Sequence, residues 1–135
     1  MKTAKAILRK LQMAPLKVRL VVGLVRGLPV EQAIVQLGMN QKAAARPVKK
    51  LIESAVANAV TNHGMNKDTL FIESIFVDEG VTLHRSMPRA QGRATPIRKR
   101  ASHITVVLAE LEQKTPVGGS SIKKVNAQSK VSNKK

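Results

Sequence analysis

Residues 88–103 read PRAQGRATPIRKRASH. The stretch carries six basic side chains counting His103, no acid, and one large apolar residue, Ile97. It lies between two runs that read as strands, LFIESIFV at 70–77 and HITVVLAEL at 103–111, both rich in Ile, Val and Phe or Leu. So cationic a segment cannot form a core, and it is too long for a tight turn. Two strands joined in this way pair as an antiparallel hairpin, and no acidic residue occurs between Glu79 and Glu110. An unbroken ribbon from Gly80 to a tip near Gly92 would reach roughly 40 Å at ~3.3 Å per residue. A compact domain of this length has a radius of gyration of only about 13–14 Å. Much of such a ribbon would project beyond the body, and an isolated two-stranded ribbon is marginal in water. Gly92 permits a positive φ at the tip. Pro88 and Pro96 remove ladder donors on either side, where pairing is expected to loosen. On these residues alone, a disordered basic loop remains the other reading.

The rest of the composition bears on what such a ribbon is for. The chain has 135 residues, a net charge of +16 and no cysteine. That charge exceeds what solubility requires and is normally matched by a polyanion, above all nucleic acid. An anionic membrane is the other common partner, but no apolar run approaches the length of a spanning helix. Thiol and disulfide chemistry are excluded by the missing cysteine. Apolar residues make up 43% of the chain, yet there are only two Phe and no Tyr or Trp, so the core must be built from small and branched aliphatics. The N-terminal MKTAKAILRKLQ develops no uninterrupted apolar segment and reads as mature sequence of a cytoplasmic protein.

Outward from the strands, residues 4–11 read as a short strand. Pro15 suits the first turn of a helix, and Val18, Val21, Val22 and Val25 form its buried stripe before Gly27 ends it. Arg19 and Arg26 lie seven apart on a common face. VEQAIVQL at 30–37 is a second helix, expected to close at Gly38. Asn40 is a candidate cap for a third, with a kink or late start at Pro47. The third helix then runs with helical spacing from Val48 to Ala59 and ends at Asn62-His63-Gly64. A single domain over 1–112, its hairpin at 80–103, is followed by residues 113–135. These hold six lysines and no acid, and read as a disordered basic tail.

With both Phe assigned to a core strand, aromatic platforms for stacking bases are missing, which argues against a reader of single strands. What remains is Arg and Lys to phosphate, plus shape, and folded RNA suits that chemistry. Ser102-His103 resembles a nucleophile beside a base, but strand neighbours point to opposite faces. His63, His84 and His103 are too scattered for a metal site. Asp78-Glu79 reads as a polar turn before it reads as an ion site. No catalytic residue, cofactor or metal is expected. The competing functions are a DNA-architectural protein whose ribbon enters the minor groove, and a cationic membrane-active segment.

The run PRAQGRATPIRKRASHITVVL resembles the signature of the ribosomal protein L-twenty-two family of the large subunit, bacterial type. APLKVRLVVGLVRG at 14–27, ARPVKKLIESAVANAVTNHG at 45–64 and VDEGVTLHR at 77–85 resemble the same family, in order, over roughly residues 5–112. The resemblance implies an α+β body, three helices packed on a three-stranded antiparallel sheet, with a long protruding basic hairpin. It implies a structural, non-enzymatic constituent of the ribosome that supports subunit assembly. Its partners would be large-subunit (23S) rRNA, neighbouring large-subunit proteins and, at the tunnel wall, the nascent chain. No membrane and no homo-oligomer are expected, and the place is cytoplasmic, with an organellar ribosome left open. By position, Pro88, Arg89, Ala90, Gln91, Gly92, Arg93 and Ala94 match the tip that lines the exit tunnel near a macrolide-binding constriction. Arg85, Arg98, Lys99, Arg100, Ser102 and His103 match rRNA-contacting flanks, and Lys17, Arg19 and Arg26 match basic positions of the first helix. Ala14 stands where the family usually has Ser, so the first helix is expected to lack a side-chain cap; such a loss costs about 1 kcal/mol.

Overall fold

A computed structural model describes residues 2–110. The expected basic tail at 113–135, and Leu111 at the end of the second predicted strand, lie outside the described residues. The elements are β1 (Thr3–Leu11), α1 (Pro15–Val25), α2 (Val30–Met39), α3 (Ala45–His63), β2 (Leu70–Glu79), β3 (Leu83–Pro88), β4 (Ala94–Lys99) and β5 (Ser102–Glu110). This is the expected α+β body with its hairpin. No helix among the described residues is long and apolar enough to cross a membrane.

The body sheet has the order β1-β5-β2, antiparallel throughout, with β5 central. Side chains of a strand alternate between faces. The register therefore gathers Ala4, Ala6 and Leu8 of β1, Ile104, Val106 and Leu108 of β5, and Ile72, Ile75 and Val77 of β2 on one face. All are buried except Leu8, which is half-buried against the same core. The three helices cover this face. Ala4 and Ala6 are small, and so are Ala45, Ala55 and Ala59 of α3, all buried, which lets α3 lie close over β1. Valine is a weak helix former because its χ1 freedom is lost against the preceding turn. The Val18, Val21, Val22 and Val25 stripe of α1 is thus helical because it is buried, not because of propensity.

Helix ends follow the sequence in part. Ala14 provides no side-chain cap to α1, as expected. Gly64 takes a left-handed φ of 59° and closes α3, its N–H donating to Val60 O at 3.1 Å while Met65 N–H donates to Ala59 O at 3.2 Å. Two expectations are corrected. α2 runs through Gly38 to Met39, because a glycine inside a helix weakens it without ending it. Of the two outcomes expected at Pro47 the late start holds: α3 begins at Ala45, and the proline falls in the first turn, where its N–H would have had no helical partner. Asn40 caps no helix; its side-chain oxygen accepts from Lys42 N–H at 3.0 Å in the turn before α3.

The ribbon is shorter than expected. β3 and β4 form six residue pairs, from Leu83↔Lys99 to Pro88↔Ala94, about 20 Å at ~3.3 Å per residue. The ladder breaks between this ribbon and the body sheet, which are separate sheets. Gly80 N–H donating to Ala101 O at 2.9 Å bridges the break. A Cβ on Gly80 would stand 3.1 Å from the Ala101 carbonyl carbon and 3.2 Å from its oxygen, tight enough that the backbone of the opposing strand would have to give by a few tenths of an ångström. Gly80→Ala is expected to cost about 1–3 kcal/mol, as overpacking against backbone does, readable in a urea titration. A loss below a few tenths would mean that the crossing relaxes freely.

Pairing does not loosen at the prolines. Pro88 and Pro96 both lie within the ladder, opposite Ala94 and Ser86. Arg89 N–H donates to Arg93 O at 2.8 Å, which sets the hydrogen-bonded parity of the ladder. The prolines fall on the other parity, where the strand N–H points outward and is not needed. The tip turns at Gln91 and Gly92, with φ of 60° and 70°.

Candidate nucleic-acid interface

The side chains of β3 are exposed along its length, and those of β4 are exposed except the half-buried Ile97. Arg85 pairs across the ladder with Ile97, His84 with Arg98, and Leu83 with Lys99. Opposed residues share a face, so Arg85 and Lys99 lie on one face with Leu83, Met87 and Ile97. Arg98 lies on the other, with His84 and Pro96. Pro88 to Ala94 are all exposed at the tip. The only ion pair among the described residues is Lys49–Glu53, at 4.0 Å on α3. The ribbon's cations therefore have no carboxylate to neutralise them. Their field acts outward.

At the root of the ribbon the structure brings together residues from three elements. A groove of about 620 Å³ runs between the end of β1, the start of α1 and the flank of β4, and Lys17, Arg98, Lys99 and Arg100 line it. Lys10 joins them, a residue that the sequence reading did not single out. Lys10 has a φ of 57°, the left-handed region that costs a non-glycine residue roughly 1–2 kcal/mol. It sits in a β-bulge: Leu8 pairs with Ile104 and Leu11 with Ser102, leaving Arg9 and Lys10 opposite His103 alone. Strict alternation from Leu8 would have put Lys10 on the core face. The extra residue takes Lys10 out to the groove and returns Leu11 to the core side. No pattern in the sequence marks this, since the register depends on residues about ninety positions away.

His103, expected as an RNA contact, holds the bulge. Its Nδ1 accepts from Lys10 N–H at 3.0 Å. Ser102 is corrected. It is fully buried and its hydroxyl has no hydrogen-bond partner among the described residues, so its side chain is not presented at the surface. Removing an unpaired buried hydroxyl is favourable; Ser102→Ala is expected to raise the unfolding free energy by about 1 kcal/mol. A thermal melt showing a decrease instead would reveal a partner for the hydroxyl in solution.

Arg19 and Arg26 have a structural task that the sequence reading did not foresee. β2 is an edge strand. Arg19 donates through Nε and Nη2 to Val77 O at 3.2 and 3.0 Å, and Arg26 through Nη2 to Ile75 O at 2.9 Å. Gly27 N–H donates to Ile72 O and Ile72 N–H to Leu28 O, at 3.1 and 3.0 Å. Together they cover the outer edge of β2 and block further strand pairing. Seven-residue spacing put both arginines on one face correctly, but that face meets a sheet edge. Both remain exposed and retain further donors.

Both Phe were assigned to the core, and the structure corrects this. Phe71 and Phe76 lie on the open face of the sheet, Phe76 at 43% exposure opposite Thr105. Strand periodicity identifies two faces without saying which is covered.

A protruding acid-free ribbon, joined to a body of three helices on a β1-β5-β2 sheet, is the arrangement that the sequence resemblance implies. The pattern of the ribosomal protein L22p/L17e family matches residues 6–109. The chain belongs to this family. Among relatives named large ribosomal subunit protein uL22, that of Macrococcus caseolyticus is 51% identical over 112 residues, covering 83% of this chain and 90% of its own. That of Desulfitobacterium hafniense is 51% identical over 113 residues, covering 84% and 99%. That of Chloroflexus aggregans is 50% identical over 107 residues, covering 79% and 95%. Members of the L22p/L17e family are structural ribosomal proteins, not enzymes, and these relatives make the chain a bacterial-type member.

Proposed function

We propose that this chain is a constituent of the large ribosomal subunit in the cytoplasm, binds 23S rRNA through its ribbon and ribbon root, and presents the ribbon tip to the exit tunnel. The observation that carries this is the ribbon itself. Six residue pairs stand apart from the body sheet, with Leu83 and Met87 about half exposed and Arg85, Arg98 and Lys99 unneutralised. In water alone such an element has little to hold it. Phosphates closing in from several sides match its cations, and rRNA sugars and base edges can cover its apolar side chains. Lys17, Arg98, Lys99 and Arg100 supply the root contacts, Arg85 and the tip arginines Arg89 and Arg93 the rest; Arg19 and Arg26 contribute the donors not used on β2. Neighbouring large-subunit proteins pack on the body, one copy of the chain enters each particle, and the nascent chain passes the tip.

Sedimentation of a lysate through a salt-washed gradient tests this reading. The chain is expected one-to-one with the large subunit, protecting 23S rRNA from chemical probing around the ribbon. Release to the top of the gradient, or recovery with chromosomal DNA, would overturn it and favour the architectural alternative. Deleting Arg89–Arg93 is expected to leave incorporation intact while altering the tunnel wall. Loss of incorporation would sink the division of labour between tip and root.

A further inference from the structure

We propose that the groove at the ribbon root seats one unstacked nucleotide of bulged or single-stranded RNA, its base on an apolar floor and its phosphates on the cationic rim. The inference rests on the RNA-binding reading above and adds a substrate class to it. A cluster of cations suited only to a duplex backbone needs no floor. This groove has one: Met13, Val81, Leu83 and Ala101 line it together with the cations. Val81 and Leu83 are 73% and 49% exposed, so they are apolar side chains left without protein cover inside a concave site. At about 620 Å³ the groove has the size of a small-ligand cleft, and no carboxylate lines it to repel a phosphate.

The backbone supplies an independent observation. Lys10 reaches the rim through a left-handed φ of 57°, held by the bond from its N–H to His103. Strain of this kind persists where surrounding structure over-determines it, and it clusters at binding sites. The rim faces the start of α1, where Ala14 and Lys17 line the groove and no acidic residue occupies the first turn. Phosphate alone would account for the rim, and an apolar ligand alone for the floor. A nucleotide displaced from its stack presents both.

The test uses the full chain and two RNA hairpins of equal length at ~0.15 M salt. One is fully paired; the other carries a single bulged 2-aminopurine. The bulged RNA is expected to bind about fivefold tighter, on the order of what burying a small apolar area contributes, with a change in 2-aminopurine emission on binding. The double variant Val81→Ser, Leu83→Ser strips the floor without removing a cation, and both positions are exposed enough for the body to remain folded, which circular dichroism checks. It is expected to lose the preference and the emission change while leaving the salt slope, which counts phosphate contacts, as in the parent. Equal affinity for the two RNAs, or a preference that survives the double variant, would overturn the nucleotide seat and leave general RNA binding standing. Failure to bind either RNA would overturn the RNA reading itself.

Discussion

Replacing Ile104 with alanine lowers the free energy of unfolding by about 3–4 kcal/mol, within the range for truncating a large buried aliphatic. Ile104 is fully buried on the central strand, paired with Leu8 on one side and Val77 on the other, under the helical layer. The core around it consists of Val, Ile, Leu, Ala and one Met, without an aromatic ring to shift into the space. β-strand neighbours on both sides hold the backbone in register, so the cavity collapses poorly and the lost contacts are not recovered. A domain's whole stability is typically about 5–15 kcal/mol, so the variant gives up about a fifth or more of it. Urea unfolding followed by circular dichroism at 25 °C reads the loss. A change below about 1 kcal/mol, the size of a mild core truncation, would show that β5 is not the centre of the core.

The second large effect concerns binding and leaves the fold alone. Exchanging Arg98, Lys99 and Arg100 together for alanine is expected to reduce the slope of log affinity against log salt by about 2–3, since each neutralised phosphate contributes about 0.7–0.9. At ~0.15 M salt that corresponds to about a hundredfold weaker binding to a 23S rRNA fragment. All three side chains are exposed, and none takes part in an ion pair among the described residues. The thermal midpoint should therefore stay within a degree or two of the parent; surface substitutions typically change stability by less than about 0.5 kcal/mol. An unchanged salt slope would mean that these cations face solvent in the complex, and a large drop in midpoint would mean that the ribbon root stabilises the body. Ile104 and the cation triplet thus separate the two halves of the molecule. One variant weakens the fold, and the other weakens the hold on RNA.

Much of the architecture was legible because it is written in short-range chemistry. The 3.6-residue spacing from Val48 to Ala59, the His63-Gly64 stop and the β-branched runs at 70–77 and 103–111 each depend on neighbours within a turn or a strand. The acid-free stretch from Gly80 to Ala109 marked a cationic segment suited to an anion but left ribbon and disordered loop equally open, and the family resemblance favoured the ribbon. The errors have a common origin too. Gly38 is a strong local signal whose effect depends on where the helix around it begins and ends. Ser102 sits among basic residues in the sequence and inside the protein in the fold, because alternation along β5 places it with Ile104 and Val106. Arg19 and Arg26 were located on one face of α1, but their bonds to Val77 O and Ile75 O were not legible, since nothing within α1 shows that β2 is an edge.

Charge, helical period and strand character are properties of residues and their near neighbours, and they sufficed for the element order and pointed to a polyanion, while the α+β class came with the family resemblance. Which sheet face is covered, where the ladder breaks at Gly80, and how Lys10 comes to stand beside Arg98 and Lys17 follow from contacts between residues far apart in the chain. Those contacts exist only once the strands have found their register. A single bulge in β1 then decides which side chains point at the core and which at the groove.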